Sequence, residues 1–215
     1  MNTDLGNYRK SYEKQELLES NVSDNPMEVF QKWFHEVDEN FDVAETNAMT
    51  ISTLGLDGFP KSRVVLLKKF TWEGFIFYTN YESEKGKAIL NNPNVCLSFF
   101  WPAAERQIII KGKAEKIAEN LSDGYFESRP RGSQLGALVS NQSEVIDSRE
   151  ALDKKLKDLE QKLEGEDILR PNFWGGFIVK PVEIEFWQGR ANRLHDRLRY
   201  TLDAEYNWIL DRLSP

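Results

Sequence analysis

Between Ala48 and Ile117 the chain carries five β-prone runs: Ala48 to Leu54, Phe59 to Phe70, Gly74 to Asn80, Val95 to Trp101 and Gln107 to Ile117. Most of the connections between them are too short to hold a crossover helix, so neighbouring strands must turn back on one another. An antiparallel sheet is the consequence. The Gly55-Leu56-Asp57-Gly58 turn fits this reading, and the only longer break, Ser83 to Asn92, reads as a short helix stopped by Asn92-Pro93.

Helical patterning flanks and interrupts that sheet. Asn25 is placed to cap a helix with Pro26 in its first turn and Glu28 completing a capping box, and Met27, Phe30, Trp33, Phe34 and Val37 form an apolar stripe to about residue 41. Residues 119 to 140 read as two helical pieces divided near Pro130. A charged amphipathic helix over 148 to 164 is capped by Ser148 and ended by Gly165. Strands return at Gly176 to Val182, Ile184 to Gln188, Arg193 to Tyr200 and Tyr206 to Leu213. Strands at both ends with helices between predict a mainly β, α+β fold: one barrel-like antiparallel sheet with helices at its side. Without an internal repeat or a low-complexity linker, residues 1–215 are expected to form one domain. Residues 1–24 are polar and weakly periodic, which predicts a mobile N-terminal arm with a short helix near Leu5 to Tyr12.

Composition narrows the function classes. A net charge of −7 opposes a general nucleic-acid binder, but not a small anion held locally. One cysteine, Cys96, permits neither an intrachain disulfide nor a thiol-built zinc cluster, and metal-ligand spacing of Cys and His is absent. No run approaches a signal peptide or a membrane helix, so the expected location is the cytoplasm, away from membranes.

Against the acidic background, cations cluster in three places. Arg193, His195 and Arg197 alternate, and in a strand all three would leave one face as an anion site; a solvated strand with accidental alternation reads equally well. Arg63 to Lys68, with Tyr78, Thr79 and the Ser83-Glu84-Lys85 helix start, supplies the donors a phosphate needs. Arg63 and Lys68 have opposite parity, so either a bulge intervenes or they serve neighbouring sites; an ordinary basic surface hairpin is the alternative. Tyr125 and Arg129 share a helical face, followed by Ser133, and a helix junction with solvated arginines would look the same. His35 reads as a surface or half-buried residue of the first helix. Trp174 reads as core, and Trp187 as core or as the flank of an aromatic ligand.

Taken together, R-V-V-L-L-K at 63–68, F-Y-T-N at 77–80, E-R-Q at 105–107, Y-F-E-S-R-P-R-G-S-Q at 125–134, F-W-G-G at 173–176 and the stretch from E-F-W-Q-G to R-L-H-D-R closely resemble the pyridoxamine/pyridoxine 5′-phosphate oxidases, flavoenzymes that make pyridoxal 5′-phosphate. The likeness runs from about Tyr8 to the closing D-R-L-S-P. It implies a split β-barrel, FMN at a homodimer interface, and oxidation of pyridoxamine or pyridoxine 5′-phosphate with dioxygen as acceptor. By motif position it implies that Arg63, Val64, Val65, Leu66, Leu67, Lys68, Tyr78, Thr79, Glu84, Lys85, Gln107, Gln142, Ser143, Trp187 and Arg197 surround FMN. Lys68, Tyr125, Arg129, Ser133, Arg193 and His195 would surround the substrate, with Arg9 and Tyr12 closing over it and Arg193 and His195 at the reacting side. Glu84 departs from the family, which often carries a basic residue there. Its carboxylate would repel the FMN phosphate unless it points outward, leaving a backbone contact.

Overall fold

The computed structural model describes residue 1 and residues 3–215. In chain order its helices and strands are α1 (Pro26–Asn40), β1 (Ala48–Leu54), β2 (Pro60–Leu66), β3 (Lys69–Thr71), β4 (Gly74–Asn80), α2 (Glu84–Asn91), β5 (Asn94–Trp101) and β6 (Arg106–Lys116). There follow α3 (Glu119–Glu127), α4 (Arg131–Val139), α5 (Arg149–Lys162), β7 (Trp174–Gln188), β8 (Asp196–Leu202) and β9 (Trp208–Arg212). Hydrogen bonding orders the strands β2-β1-β5-β6-β7-β4-β3, with β8 on β7 and β9 on β8. The pairings of β4 with β3 and β7, and of β8 with β7 and β9, are all antiparallel, as the short connections require. Among the described residues no helix is long and apolar enough to cross a membrane.

The chain divides into two compact units, the first comprising residues 1–49, 97–111 and 181–215, the second residues 50–96 and 112–180. In the second unit β4 is buried along most of its length, with Phe75 and Phe77 fully enclosed, and it pairs with β7 from Phe75↔Val179 to Asn80↔Trp174. Helices α3, α4 and α5 gather over Phe126, Leu135, Ile168 and Trp174. Arg131 at the start of α4 donates to the carbonyls of Leu163 and Glu166, which docks that helix on the end of α5.

In the first unit α1 sets Phe30 edge-on to Phe99 and Trp33 edge-on to Phe186. Asn25 caps α1 by accepting from the Met27 amide at 2.9 Å. The expected capping box does not close: Glu28 accepts from the Ser23 hydroxyl, and that hydroxyl serves the Asn25 amide. Ser148 caps α5 as the sequence predicts, accepting from the Ala151 amide.

Five sequence expectations need correction. No helix forms at Leu5 to Tyr12; the first helical turn is a 3-10 turn at Glu19–Asn21. The arm is also not free along its length, since Leu17 is buried and its amide donates to Asp196. The run Phe59 to Phe70 breaks into β2 and β3, so Lys68 stands outside a strand and its parity conflict with Arg63 disappears. The two strands expected over residues 176–188 are one, β7. Proline lacks the amide a ladder needs, and Pro181 is tolerated between the stretch paired to β4 and the stretch paired to β8. Finally, β8 begins only at Asp196. Asn192 and Arg193 have φ of 57° and 61°, left-handed conformations that end any strand, so Arg193, His195 and Arg197 do not share a strand face.

Candidate active site

Close backbone packing in the second unit creates its principal cleft. Glycine is required where α2 leaves β4: a Cβ on Gly86 would lie 2.3 Å from the Tyr81 carbonyl oxygen. That approach, with Ser83 capping the helix by accepting from the Gly86 amide at 3.2 Å, aims Lys85 inward. Across β4, Gly175 stands opposite Thr79, and a side chain there would strike the Tyr81 hydroxyl.

The resulting cleft has a volume of about 530 Å³. Its walls carry Val64, Val65, Leu66 and Lys68 from β2 and the segment after it, Tyr78 and Thr79 from β4, Lys85 from α2, Tyr125, Arg129 and Ser133 from α3 and the start of α4, and Gln142. These are eleven of the residues the family likeness nominates, brought together by the fold. Tyr125, Tyr78 and Trp174 lie as nearly parallel rings, the tyrosines 3.9 Å apart and Trp174 5.6 Å from Tyr78. The Arg129 guanidinium sits 4.6 Å over the Trp174 ring. Such a shelf suits a planar aromatic ligand, and its cations suit a ligand with phosphate.

The cations have unusual surroundings. Lys85 is buried, and its Nζ donates only to neutral oxygens: Thr79 Oγ1 at 2.8 Å, Gln142 Oε1 at 3.2 Å and Ser83 Oγ at 3.5 Å. Burial, and next the Arg63 charge, push its pKa down to about 8. Burial likewise lowers the pKa of Arg129, and its Nη1 has no hydrogen-bond partner. Arg63, which precedes the wall residue Val64 but is not itself on the walls, leaves its buried Nε unpaired while its Nη2 reaches Glu84 at 3.4 Å. Unpaired buried donors are costly, and an anion would satisfy them. The departure at Glu84 resolves in the same geometry: Lys61 and Arg63 pair its carboxylate and lower its pKa, Lys61 foremost.

A second cluster lies wholly in the first unit. His195 Nδ1 accepts from the Arg190 amide at 3.1 Å, which leaves the proton of the neutral ring on Nε2. Burial, then the nearby Arg193 charge, lowers its pKa, so the neutral ring is favoured. Trp187 packs 4.7 Å from it, and Tyr12 meets both rings edge-on at 5.7 and 5.9 Å. Arg197 is bound bidentately by Glu185 at 2.8 and 3.1 Å and donates to the Ser214 carbonyl. Arg193 is exposed, Gln107 is half-buried on β6, and Arg9 is exposed with its Nε on the Gly6 carbonyl.

The cleft therefore excludes several nominated residues. Leu67 is buried away from it, Ser143 is exposed with φ of 78°, and Glu84 faces Lys61. Sequence reasoning passed over Asn80, Gly136, Ala137 and Ser140 on its walls, and left Trp174 as core. The F-Y-T-N run already contained Asn80, and the adjacent glycines marked Trp174 as lying at a close approach.

Comparison with known proteins decides the ancestry. Residues 35–163 match the family model described as pyridoxamine 5′-phosphate oxidase, and residues 174–215 match that described as the pyridoxine 5′-phosphate oxidase C-terminal dimerisation region. The chain belongs to the pyridoxamine 5′-phosphate oxidase family. It is 69% identical over 212 residues to the pyridoxine/pyridoxamine 5′-phosphate oxidase of Flavobacterium psychrophilum, covering 99% of both chains. It is 49% identical over 215 residues to the enzyme of that name from a Nostoc species, covering 100% of both. Among solved structures, PhzG from Burkholderia lata, in complex with tetrahydrophenazine-1-carboxylic acid, superposes with a TM-score of 0.86 at 28% identity, over 93% of this chain and 98% of that one. An FMN binding protein from Nostoc punctiforme shares the fold at a TM-score of 0.69 and 14% identity, over 91% of this chain and 99% of that one. The family's split-barrel α+β fold is thus the fold of this chain.

Proposed function

We propose that this chain is an FMN-dependent oxidase converting pyridoxamine 5′-phosphate and pyridoxine 5′-phosphate to pyridoxal 5′-phosphate, in the synthesis and salvage of vitamin B6. For the amine the balance is substrate, dioxygen and water giving aldehyde, ammonia and hydrogen peroxide. The observation that carries this reading is one aromatic-walled cleft in which buried Lys85 donates only to neutral oxygens and Arg129 keeps a buried N–H without a partner. Arg63 and Lys85, beside Thr79 and Gln142, fit the phosphate of FMN. Arg129, with Lys68, Tyr125 and Ser133, fits the phosphate of the substrate.

Bound FMN supplies a two-electron acceptor that dioxygen can reoxidise. The chain's own task is positional. The cleft's aromatic wall orients flat rings, the arginines and lysines hold phosphates, and a neutral His195 with Arg193 would face the reacting carbon. His195 Nε2 would then carry an exchangeable proton on that side of the site. The remaining nominated contacts, Gln107, Ser143, Trp187 and Arg197, complete a site at a homodimer interface, which accords with the C-terminal dimerisation region. The whole chain acts as one domain, and the single cysteine accords with a cytoplasmic setting.

The test is the visible spectrum of purified holoprotein during anaerobic addition of pyridoxamine 5′-phosphate. The expected result is loss of the flavin bands, regained with oxygen. Bands that persist at saturating substrate would refute the assignment. The likeness to PhzG favours a second reading, oxidation of a carboxylated heterocycle instead of a phosphorylated one. Oxygen uptake with such an acid, and none with the two vitamin phosphates, would establish it.

A further inference from the structure

Glu105 holds a position that no cleft or ligand explains. It is 2% exposed, in a chain whose other glutamates mostly face solvent, and its backbone adopts a left-handed φ of 56°. A non-glycine residue pays for that conformation, so something must hold it there. The side chain reaches the N-terminal segment: Oε2 accepts from the Glu13 amide at 2.9 Å and from the Lys14 amide at 3.1 Å. The backbone reaches the other way. Its carbonyl accepts from the Gly189 amide at 2.8 Å and from Gln188 Nε2 at 3.1 Å.

Tyr12 lies between these two holds. Its main chain immediately precedes the two amides on the Glu105 carboxylate, and a Cβ on Gly189 would lie 2.7 Å from the Tyr12 Cβ and Cγ. The ring then stands edge-on to Trp187 and His195. Neighbouring bonds reinforce the seat. Lys14 Nζ donates to the Ala103 carbonyl at 2.7 Å, and Arg106 joins Gln15, Glu36 and Gln188. Hydrogen bonds to a carboxylate are about twice as strong as neutral ones, and Glu105 accepts two of them from consecutive amides of a polar segment, with Lys10 Nζ 3.9 Å from its other oxygen.

From this geometry we propose that Glu105 is the positioning residue for Tyr12, fixing the N-terminal segment and the Trp187 to Gly189 wall to one another so that the tyrosine ring is presented beside His195. The inference rests on the reading of Tyr12 and His195 as substrate-facing groups. Glu105 itself acts through Tyr12 and touches no ligand. A glutamine in its place keeps the size and one oxygen for the two amides but loses the charge, so both bonds weaken. The segment would then leave its seat for part of the time, and substrate would be held less well.

The experiment compares holoprotein with Glu105→Gln, Tyr12→Ala and the double variant. Amide hydrogen exchange at Glu13 and Lys14 should quicken at least tenfold in Glu105→Gln, while amides of β4 keep their wild-type rates. KM for pyridoxamine 5′-phosphate should rise roughly tenfold with little change in kcat. In the Tyr12→Ala background, Glu105→Gln should add almost nothing to KM. A merely structural glutamate would raise KM equally in both backgrounds, and that result overturns the proposal. Unchanged exchange at Glu13 and Lys14 overturns it as well. If wild-type protein oxidises neither vitamin phosphate, the functional reading fails separately, and the exchange data still decide whether Glu105 holds the segment. Should Glu105→Gln not fold, Glu105→Asp, which shortens the reach but keeps the charge, supplies the same comparison.

Discussion

Arg129 in the second unit and Arg197 in the first live under opposite conditions. Arg129 stacks on Trp174 with a buried Nη1 unpaired, while Arg63 stands between the extremes, its buried Nε unpaired and its Nη2 on Glu84. In the first unit Arg197 is closed in a bidentate pair with Glu185, and Arg212 bridges Glu19 and Asp196. The chemistry of the side chain is the same, so its partners decide its role. A guanidinium already neutralised by carboxylates holds the fold, whereas one stripped of water and left without a carboxylate awaits an anion. By this criterion the assignment of Arg197 to FMN is weaker than that of Lys85, whose Nζ donates only to neutral oxygens, because any phosphate must compete with Glu185.

Substitutions can break that contrast. The largest effect belongs to Arg129→Leu, which should lower kcat/KM for pyridoxamine 5′-phosphate about ten- to hundredfold, mostly through KM, as loss of a charge-assisted bond implies. Its denaturation midpoint should barely move, because removal of an unsatisfied N–H offsets the lost stacking on Trp174. Arg197→Leu should do the reverse. Leaving the nearly buried Glu185 without its partner should cost about 2 kcal/mol in chemical denaturation, discounted for the part of Arg197 that is solvated. A stability loss for Arg129 larger than that for Arg197 would erase the distinction.

Lys85 sharpens it through pH. In the free protein its pKa stands near 8, below the ordinary 10.5. The unfolded chain therefore binds more protons between these values, and the stability of the FMN-free protein should rise with pH across that window. A bound phosphate raises the pKa of Lys85 again. FMN affinity should thus be level below pH 8 and weaken above it, by up to about tenfold per unit, as titration calorimetry over pH 7 to 10 would register. A smaller effect concerns His195, whose folded pKa lies below its ordinary 6.5. Its neutral form persists on acidification until that lower value. The kcat/KM profile should stay flat through pH 6.5 and fall only below it, and a fall already complete at pH 6.5 would mean that the ring is not held neutral.

How much of this was legible in the sequence follows the same division. The cleft was, because its parts are local: Val64 to Leu66 with Lys68, Tyr78-Thr79, Lys85, and Tyr125, Arg129 and Ser133 each sit on or beside a short run whose pattern names the strand or helix that carries it. The first unit was less so. Alternation of Arg193, His195 and Arg197 predicted a strand, but two consecutive left-handed residues leave no hydrophobic signature, and the ion pair of Arg212 with Glu19 joins positions far apart in the chain. Anchorage of the polar N-terminal segment was hidden for a similar reason. Its bonds run from backbone amides to Glu105, and amides carry no sequence code. At Gly86 and Gly175 it is the neighbours brought up by the fold, not the local sequence, that show a methyl group would collide.

Anaerobic titration of the holoprotein with pyridoxamine 5′-phosphate, wild type beside Arg129→Leu, tests most directly whether the unpaired cations of the cleft are its phosphate sites. The concentration that half-bleaches the flavin should rise about ten- to hundredfold in the variant while the final extent of bleaching stays complete. Equal half-bleaching concentrations for the two proteins would contradict it.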